Sequence, residues 1–540
     1  MTSLLLTMTT STLPSYLFNS QPQAHRPAIL LPPSALLASE LPLSICYREL
    51  KDYTTRLATQ LESFGPPQIT VSLSLINSLE FVTSFLALAQ NSFIAAPLNP
   101  GYTQDEAEFY LSDSNSKLLL VHKGDLSSTA TASGAVLAAR KLDIPIAEVY
   151  FNSTTGSIEF SGGSPHLTRL SKRKQTRVPY ENDVLLLLHT SGTTGRPKAV
   201  PLTHKNMIAT TRNIQKTYDL SSKDRSFLVM PLFHVHGLLA GLLSPLAASG
   251  SCVIPPRFAA RTFWSEFVLS KANWYTAVPT IHQVLLQIPP PLPLPKIRFI
   301  RSCSSALSPT THAQLERTFQ APVLEAYAMT EATHQMTSNP LPPAIRKPGS
   351  VGKPVGVEMK ILDFSKEEEV EEGEVCIRGP NVTAGYLNNV SANKSSFTVP
   401  GGYFRTGDRG RIDADGFLTL TGRIKELINR GGEKISPVEL DGALLSIEGV
   451  TEAVAFGVPD RKYGEVPWAA VVLRKSSSKR VPSEPEIRNE LSKKLGKFKI
   501  PEKILIVDQI PKTATGKVQR RKVSEIFRKS HPDNNAKARL

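Results

Sequence analysis

An α/β fold is expected, built from layered parallel α/β subdomains, a small β-rich subdomain and a further small domain at the C-terminus. Three observations predict it. Strand-like and helix-like segments alternate through "VLLLLH", "NWYTAVPT", "IRFIRSCSS" and "APVLEAYAMTEA", which argues for parallel strands with ligands beyond their carboxyl ends. From about residue 348 the pattern changes to short strands and turns, "GVEMKILD", "GEVCIRG" and "GFLTLTG". Near residue 425 a new unit begins, and Ser436-Pro437-Val438-Glu439 reads as its helix start. There Ser436 caps, Pro437 fits the first helical position, and Glu439 is expected to reach back to the cap amide.

Residues 46–64, "CYRELKDYTTRLATQLESF", repeat apolar positions at helical spacing, and "EFVTSFLALAQNSFIAAPLNP" reads as a buried helix, a short strand and a turn. "QIPPPLPLPKI" is too rich in proline for either element and reads as a surface connection. The acidic "KEEEVEEGE" is expected to be a solvated hairpin tip, not a metal site.

Composition narrows the class. The chain has 540 residues, more than one ordinary domain, with 41% hydrophobic and 20% charged residues, as in a protein that buries a sizeable core. No apolar run reaches the roughly 18 residues a membrane span requires. The N-terminal "SLLLTM" lacks a positive flank and is not expected to be a signal peptide. Cys46, Cys252, Cys303 and Cys376 lie far apart without metal spacing, as expected of reduced thiols. The net charge of +15, crowded into the last hundred or so positions, suits anionic partners: nucleotides, coenzyme A or nucleic acid. No aromatic-basic motif supports RNA, so nucleic acid is not the expected partner.

Four motifs carry chemistry. The first is the loop Thr190-Ser191-Gly192-Thr193-Thr194-Gly195-Arg196-Pro197-Lys198, set between the strand "VLLLLH" and a helix-like segment starting near Thr203. Its glycine-freed amides, hydroxyls and lysine suit a triphosphate tail, although the spacing is not that of a Walker loop. The second is "EAYAMTEATHQM", which offers a ring (Tyr327), a hydroxyl (Thr330) and a carboxylate (Glu331) at a strand end. Those parts suit a base, a phosphate and Mg²⁺. The third, residues 401–437, contains Asp408 and Arg423, suited to ribose and phosphate. The fourth, "PKTATGKVQRR", places Lys517 in a loop between a strand and a basic helix.

In order and spacing these motifs resemble the AMP-forming acyl-CoA synthetases, the adenylating superfamily, over about residues 45–525. The resemblance implies a large N-terminal adenylation domain, residues 1–424, hinged to a mobile α+β domain, residues 425–540. It also implies ATP, Mg²⁺ and coenzyme A as cofactor and co-substrates. By it, Thr190 to Gly195 and Lys198 form the phosphate loop. Tyr327 stacks on adenine with Ala328 and Met329 beside it, Thr330 contacts phosphate and Glu331 binds Mg²⁺. Asp408 and Arg423 bind ribose, Lys425 is the hinge, Gly431 and Gly432 lie in the coenzyme A loop, and Lys517 is the catalytic lysine. Ala328 departs from a usual glycine, and Asn429 stands where plant coumarate ligases have a lysine.

The acid-site positions read His234, His236, Ser304 with Ser305 beside it, and His334, and the resemblance also sets Ser304 at the nucleotide. Imidazoles and hydroxyls line an alkyl or aryl tail poorly but a second carboxylate well. The blocks "RSCSSALSP" and "YAMTEATHQMTSNPLPP" resemble the oxalyl-CoA synthetases of fungi and plants, which implies oxalate. A coumarate-like or medium-chain acyl-CoA ligase would use the same machinery. The final Ala538-Arg539-Leu540 resembles a peroxisomal address read by the import receptor, so the peroxisomal matrix is the expected compartment, with the cytoplasm second.

Overall fold

The computed structural model describes residues 12–18, 24–36, 41–126, 132–152, 155–162, 177–190, 197–399, 401–474, 481–513 and 516–530. The "SLLLTM" segment, Ser191 to Gly195 of the phosphate loop, and Ala538-Arg539-Leu540 lie outside the described residues.

The expected layers are present. A seven-stranded sheet runs in the order 157–162, 146–152, 116–122, 70–74, 94–97, 184–190, 198–203, parallel except at its two edges. A nine-stranded sheet runs 353–354, 334–338, 323–329, 299–302, 274–277, 225–228, 251–253, 27–31, 43–46, again antiparallel only at its ends. The helix expected in "EFVTSFLALAQ" is Leu79–Gln90, capped where the Ser78 hydroxyl accepts from the Phe81 amide at 3.2 Å. Ten of its twelve side chains are buried. It packs on the seven-stranded sheet, while the apolar segment His236–Leu243 packs on the nine-stranded one, and both feed one shared core. That continuity holds the two sheets in fixed register, a precondition for a site assembled from both.

The helix over 46–64 spans Tyr47–Leu61 and tightens to a 3₁₀ turn at Glu62–Phe64. The β-rich subdomain is an antiparallel meander of Glu358–Leu362, Glu372–Arg378, Phe404–Ile412 and Leu418–Arg423. Its acidic connection is not simply solvated: Glu369 pairs with Lys360, and Glu367 and Glu374 with Arg405. Beyond Arg423 a fourth sheet of Ile428–Arg430, Glu433–Ile435, Val450–Asp460, Gly464–Leu473 and Lys503–Ile506 has its own core, Ile428 and Leu440 to Ile504, under helices Pro437–Leu445 and Glu484–Ser492.

One local reading needs correction. Ser436 caps as expected, accepting from Glu439 N at 3.3 Å, but the Glu439 carboxylate does not reach back. It takes Lys499 Nζ at 2.7 Å instead, a cation offered from across the fold. The helix expected from near Thr203 is His204–Thr217. The strand Lys198–Thr203 precedes it, pairing back on Val184–Thr190, and Thr203 caps it. Among the described residues no helix is long and apolar enough to cross a membrane.

Candidate active site

The hairpin 184–190/198–203 ends with Thr190 paired to Lys198, so the two flank the loop tip. The Lys198 ammonium lies 4.4 Å from the centroid of the Tyr386 ring. Burial, then the nearby Lys425, lowers its pKa. The Tyr386 hydroxyl in turn donates to Glu331 Oε1 at 2.8 Å. A lysine beside the loop and the carboxylate expected to meet Mg²⁺ thus share one aromatic side chain. Tyr386 was missed from sequence, because nothing near it marks it as more than a core tyrosine.

Glu331 sits in the 3₁₀ turn Thr330–Ala332, which links strands Val323–Met329 and His334–Ser338. Ala328 pairs with Gln335 and Met329 with His334 across that hairpin. Burial raises the Glu331 pKa, opposed by the Tyr386 hydroxyl and by Lys198 and Arg423. A buried carboxylate held by one phenol suits a hard cation arriving with phosphates, which takes one or two protein carboxylates and keeps the rest of its shell. Among the described residues no group of three or more side chains could hold a metal by itself.

On the meander, Asp408 and Arg423 are cross-strand partners, and Asp408 Oδ1 accepts from Arg423 Nε at 3.1 Å. The Tyr327 hydroxyl donates to Asp408 Oδ2. Tyr327, Asp408 and Arg423 therefore form one linked set across two sheets. Lys517 comes to the same place from the C-terminal unit. Its pKa is lowered to about 8, by burial first and Arg423 next, against the pull of Asp408, Glu426 and Glu331. The turn before it docks lightly: Thr280 Oγ1 donates to Gly516 O at 3.3 Å.

The acid-site residues also converge. His236 opens a π-helical stretch, His236–Leu243, a form frequent at functional sites. It can start there because residue 237 is glycine, where a Cβ would meet Pro231 O at 2.3 Å. His236 Nδ1 lies 3.1 Å from Ser304 Oγ and Nε2 lies 2.6 Å from Thr276 Oγ1. His234 Nδ1 accepts from the His236 amide at 3.2 Å. His334 stacks on His236, centroids 5.2 Å apart and planes at 28°, and holds a φ of 121°, a region that favours glycine. Both His334 ring nitrogens are buried without a hydrogen-bond partner. Burial, followed by Arg301, lowers the pKa of His236 and His334 well below the usual imidazole value, and His234 falls to about 4 through burial and Lys517. All three imidazoles are neutral at physiological pH.

Two further predicted groups are exposed. Gly431 and Gly432, with φ of 59° and 97°, form the exposed two-residue turn between Ile428–Arg430 and Glu433–Ile435. Lys425 is exposed in the 3₁₀ turn Ile424–Glu426, between the meander and the last sheet.

A lysine, an acid-bearing turn, a Tyr–Asp–Arg set and a second lysine from another unit come together in one place, with groups suited to a nucleotide. The family models agree, matching an AMP-binding enzyme over residues 33–387 and an AMP-binding enzyme C-terminal domain over residues 439–517. The chain belongs to the AMP-binding enzyme family. This AMP-binding enzyme is 48% identical to an oxalate–CoA ligase of Saccharomyces cerevisiae, over 92% of this chain and 95% of that protein. It is 49% identical to an oxalate–CoA ligase of Arabidopsis thaliana, over 90% and 94%. Among solved structures it resembles ATP-bound MatB from Rhodopseudomonas palustris, with a TM-score of 0.83 and 28% identity over 96% of this chain and 99% of that one.

Proposed function

We propose that the enzyme joins oxalate to coenzyme A, with ATP converted to AMP and pyrophosphate. The observation that carries the acid is the stacked, buried pair His236–His334 with both His334 nitrogens unpartnered. An apolar tail would leave those nitrogens unsatisfied at a cost of about 1–3 kcal/mol, whereas a carboxylate accepts from the ring N–H and a water bound to it donates to the other nitrogen. The two oxalate–CoA ligase relatives support the same reading.

A carboxylate is a poor acyl donor because oxide is a poor leaving group. Its oxygen attacks the α-phosphate, pyrophosphate leaves, and the acyl-AMP so formed is attacked at its carbonyl carbon by the coenzyme A thiolate, releasing AMP. No covalent enzyme nucleophile is needed, so positioning and charge neutralisation carry the catalysis. Lys517 neutralises charge on the carboxylate and α-phosphate. Lys198, with the loop from Thr190, holds the outer phosphates, Tyr327 stacks on adenine with Ala328 and Met329 beside it, and Asp408 with Arg423 takes the ribose. Thr330 contacts phosphate, and Glu331 would hold Mg²⁺, which supplies further neutralisation. His234, His236, Ser304 and His334 face the acid. For the second step the C-terminal domain, residues 425–540, turns about Lys425 to withdraw Lys517 and bring the Gly431–Gly432 turn to the thiol.

A pyrophosphate-release screen across oxalate, other dicarboxylic acids, coumarate and octanoate tests this reading. Oxalate should lead clearly, and preference for coumarate or octanoate would overturn it. The enzyme is further proposed to enter peroxisomes through Ala538-Arg539-Leu540. A fluorescent fusion ending in these residues should be punctate and turn diffuse when they are deleted. An unchanged distribution would refute the signal.

A further inference from the structure

Behind the histidine pair lies Arg301, which is 0% exposed. Its guanidinium donates to three neutral oxygens: Nε to Tyr218 Oη at 2.8 Å, Nη1 to Thr276 Oγ1 at 3.1 Å and Nη2 to Gln335 Oε1 at 3.2 Å. Nη1 is also 3.5 Å from His236 Nε2. No carboxylate pairs with it among the described residues. Glu325, on the neighbouring strand, pairs in register with Ser302, while Arg301 pairs with Leu324. Alternation therefore sends Glu325 to the other face of the sheet, where it accepts from Gly349 N at 2.8 Å.

A buried cation without a counter-ion is costly to keep. It is retained where an anion arrives from outside. In front of it stand His236, already bonded to Ser304 and Thr276, and His334, with two free nitrogens on a strained backbone. Burial and then Arg301 lower the pKa of both rings, and the fixed positive charge at this end is the guanidinium behind them. Lys517 serves the other end, beside Asp408 and Arg423.

We propose that Arg301 is the fixed positive charge by which the acid site selects a doubly charged small acid over a singly charged one, acting through the His236–His334 pair. This rests on reading the pair as the oxalate site. Arg301 is thus a specificity-determining positioning residue.

The test compares oxalate with oxamate, nearly the same shape but with the distal carboxylate replaced by an amide. A unit charge about 6 Å away at an effective dielectric of ~20 changes a binding constant roughly 100-fold. Arg301→Gln should therefore lower kcat/KM for oxalate roughly 100-fold, mostly through KM, and leave oxamate within about threefold. Arg301→Lys should keep most of the oxalate preference. Equal losses for both acids in either variant, or unchanged oxalate kinetics in Arg301→Gln, would overturn the proposal. If Arg301→Gln does not fold, the Arg301→Lys ratio decides: retained preference supports the charge role, and equal loss refutes it. If wild type releases no pyrophosphate with oxalate, the oxalate reading fails by itself. The same charged and amide pair is then made for whichever dicarboxylic acid is turned over, and turnover confined to monocarboxylic acids refutes the Arg301 role as well.

Discussion

Lys517 titrates in a range that adenylation kinetics can read. Its amine is lowered from 10.5 to about 8, chiefly by burial and then by Arg423. That difference corresponds to about 3 kcal/mol against the charged form. The sign follows from the depressed value. The penalty on docking is fully present below pH about 8 and fades as pH rises towards 10.5. The empty enzyme should therefore dock its C-terminal domain more at pH 9.5 than at pH 7, which a distance probe between the two domains would register. In the proposed mechanism catalysis runs the other way, because Lys517 acts there as the charged amine. Since kcat/KM for ATP reports the free enzyme, it should fall about tenfold per pH unit above roughly 8. The triphosphate draws the ammonium in, so the corresponding limb in kcat should lie higher. Thioester formation from supplied acyl-AMP should lack this limb, and Lys517→Ala should abolish adenylation while largely sparing that step. Lys517→Arg should lose the limb while keeping part of the rate. A limb that persists in Lys517→Arg, or equal loss of both half-reactions in Lys517→Ala, would refute the reasoning.

His334→Ala should lower kcat/KM for oxalate roughly ten- to a hundredfold and leave KM for ATP nearly unchanged; the same loss with every acid would point to a structural role. Tyr386→Phe removes the hydroxyl that opposes burial at Glu331, so the Glu331 pKa rises further. The acid limb of pyrophosphate release should then move to higher pH, and an unmoved limb would mean that Tyr386 does not tune this carboxylate. Gly352→Ala places a Cβ 1.8 Å from the Ser338 carbonyl carbon at a φ of +83°, against the strand that carries His334. It should cost about 3 kcal/mol or more, read as a lowered midpoint in urea. A midpoint close to wild type would show that the strand yields.

What sequence alone determined is what neighbours in the chain decide. The Ser436 cap, the helix start near Thr203, the buried helix Leu79–Gln90 and the turn carrying Glu331 each follow from a few adjacent residues. So do the positions of Asp408 and Arg423, facing partners across one hairpin. Long-range packing decided the rest. Glu439 looked like half of a capping box, but Lys499, 60 residues away, takes its carboxylate. Tyr386 gains its place from Glu331, 55 residues earlier, and from Lys198. Arg301 read as one more residue of a strand. Its meaning comes from Tyr218, Thr276 and Gln335, which lie 83, 25 and 34 residues away and offer it only neutral oxygens. Whether a buried charge is paired is a property of the surrounding volume, to which distant segments contribute, and local pattern carries no record of it.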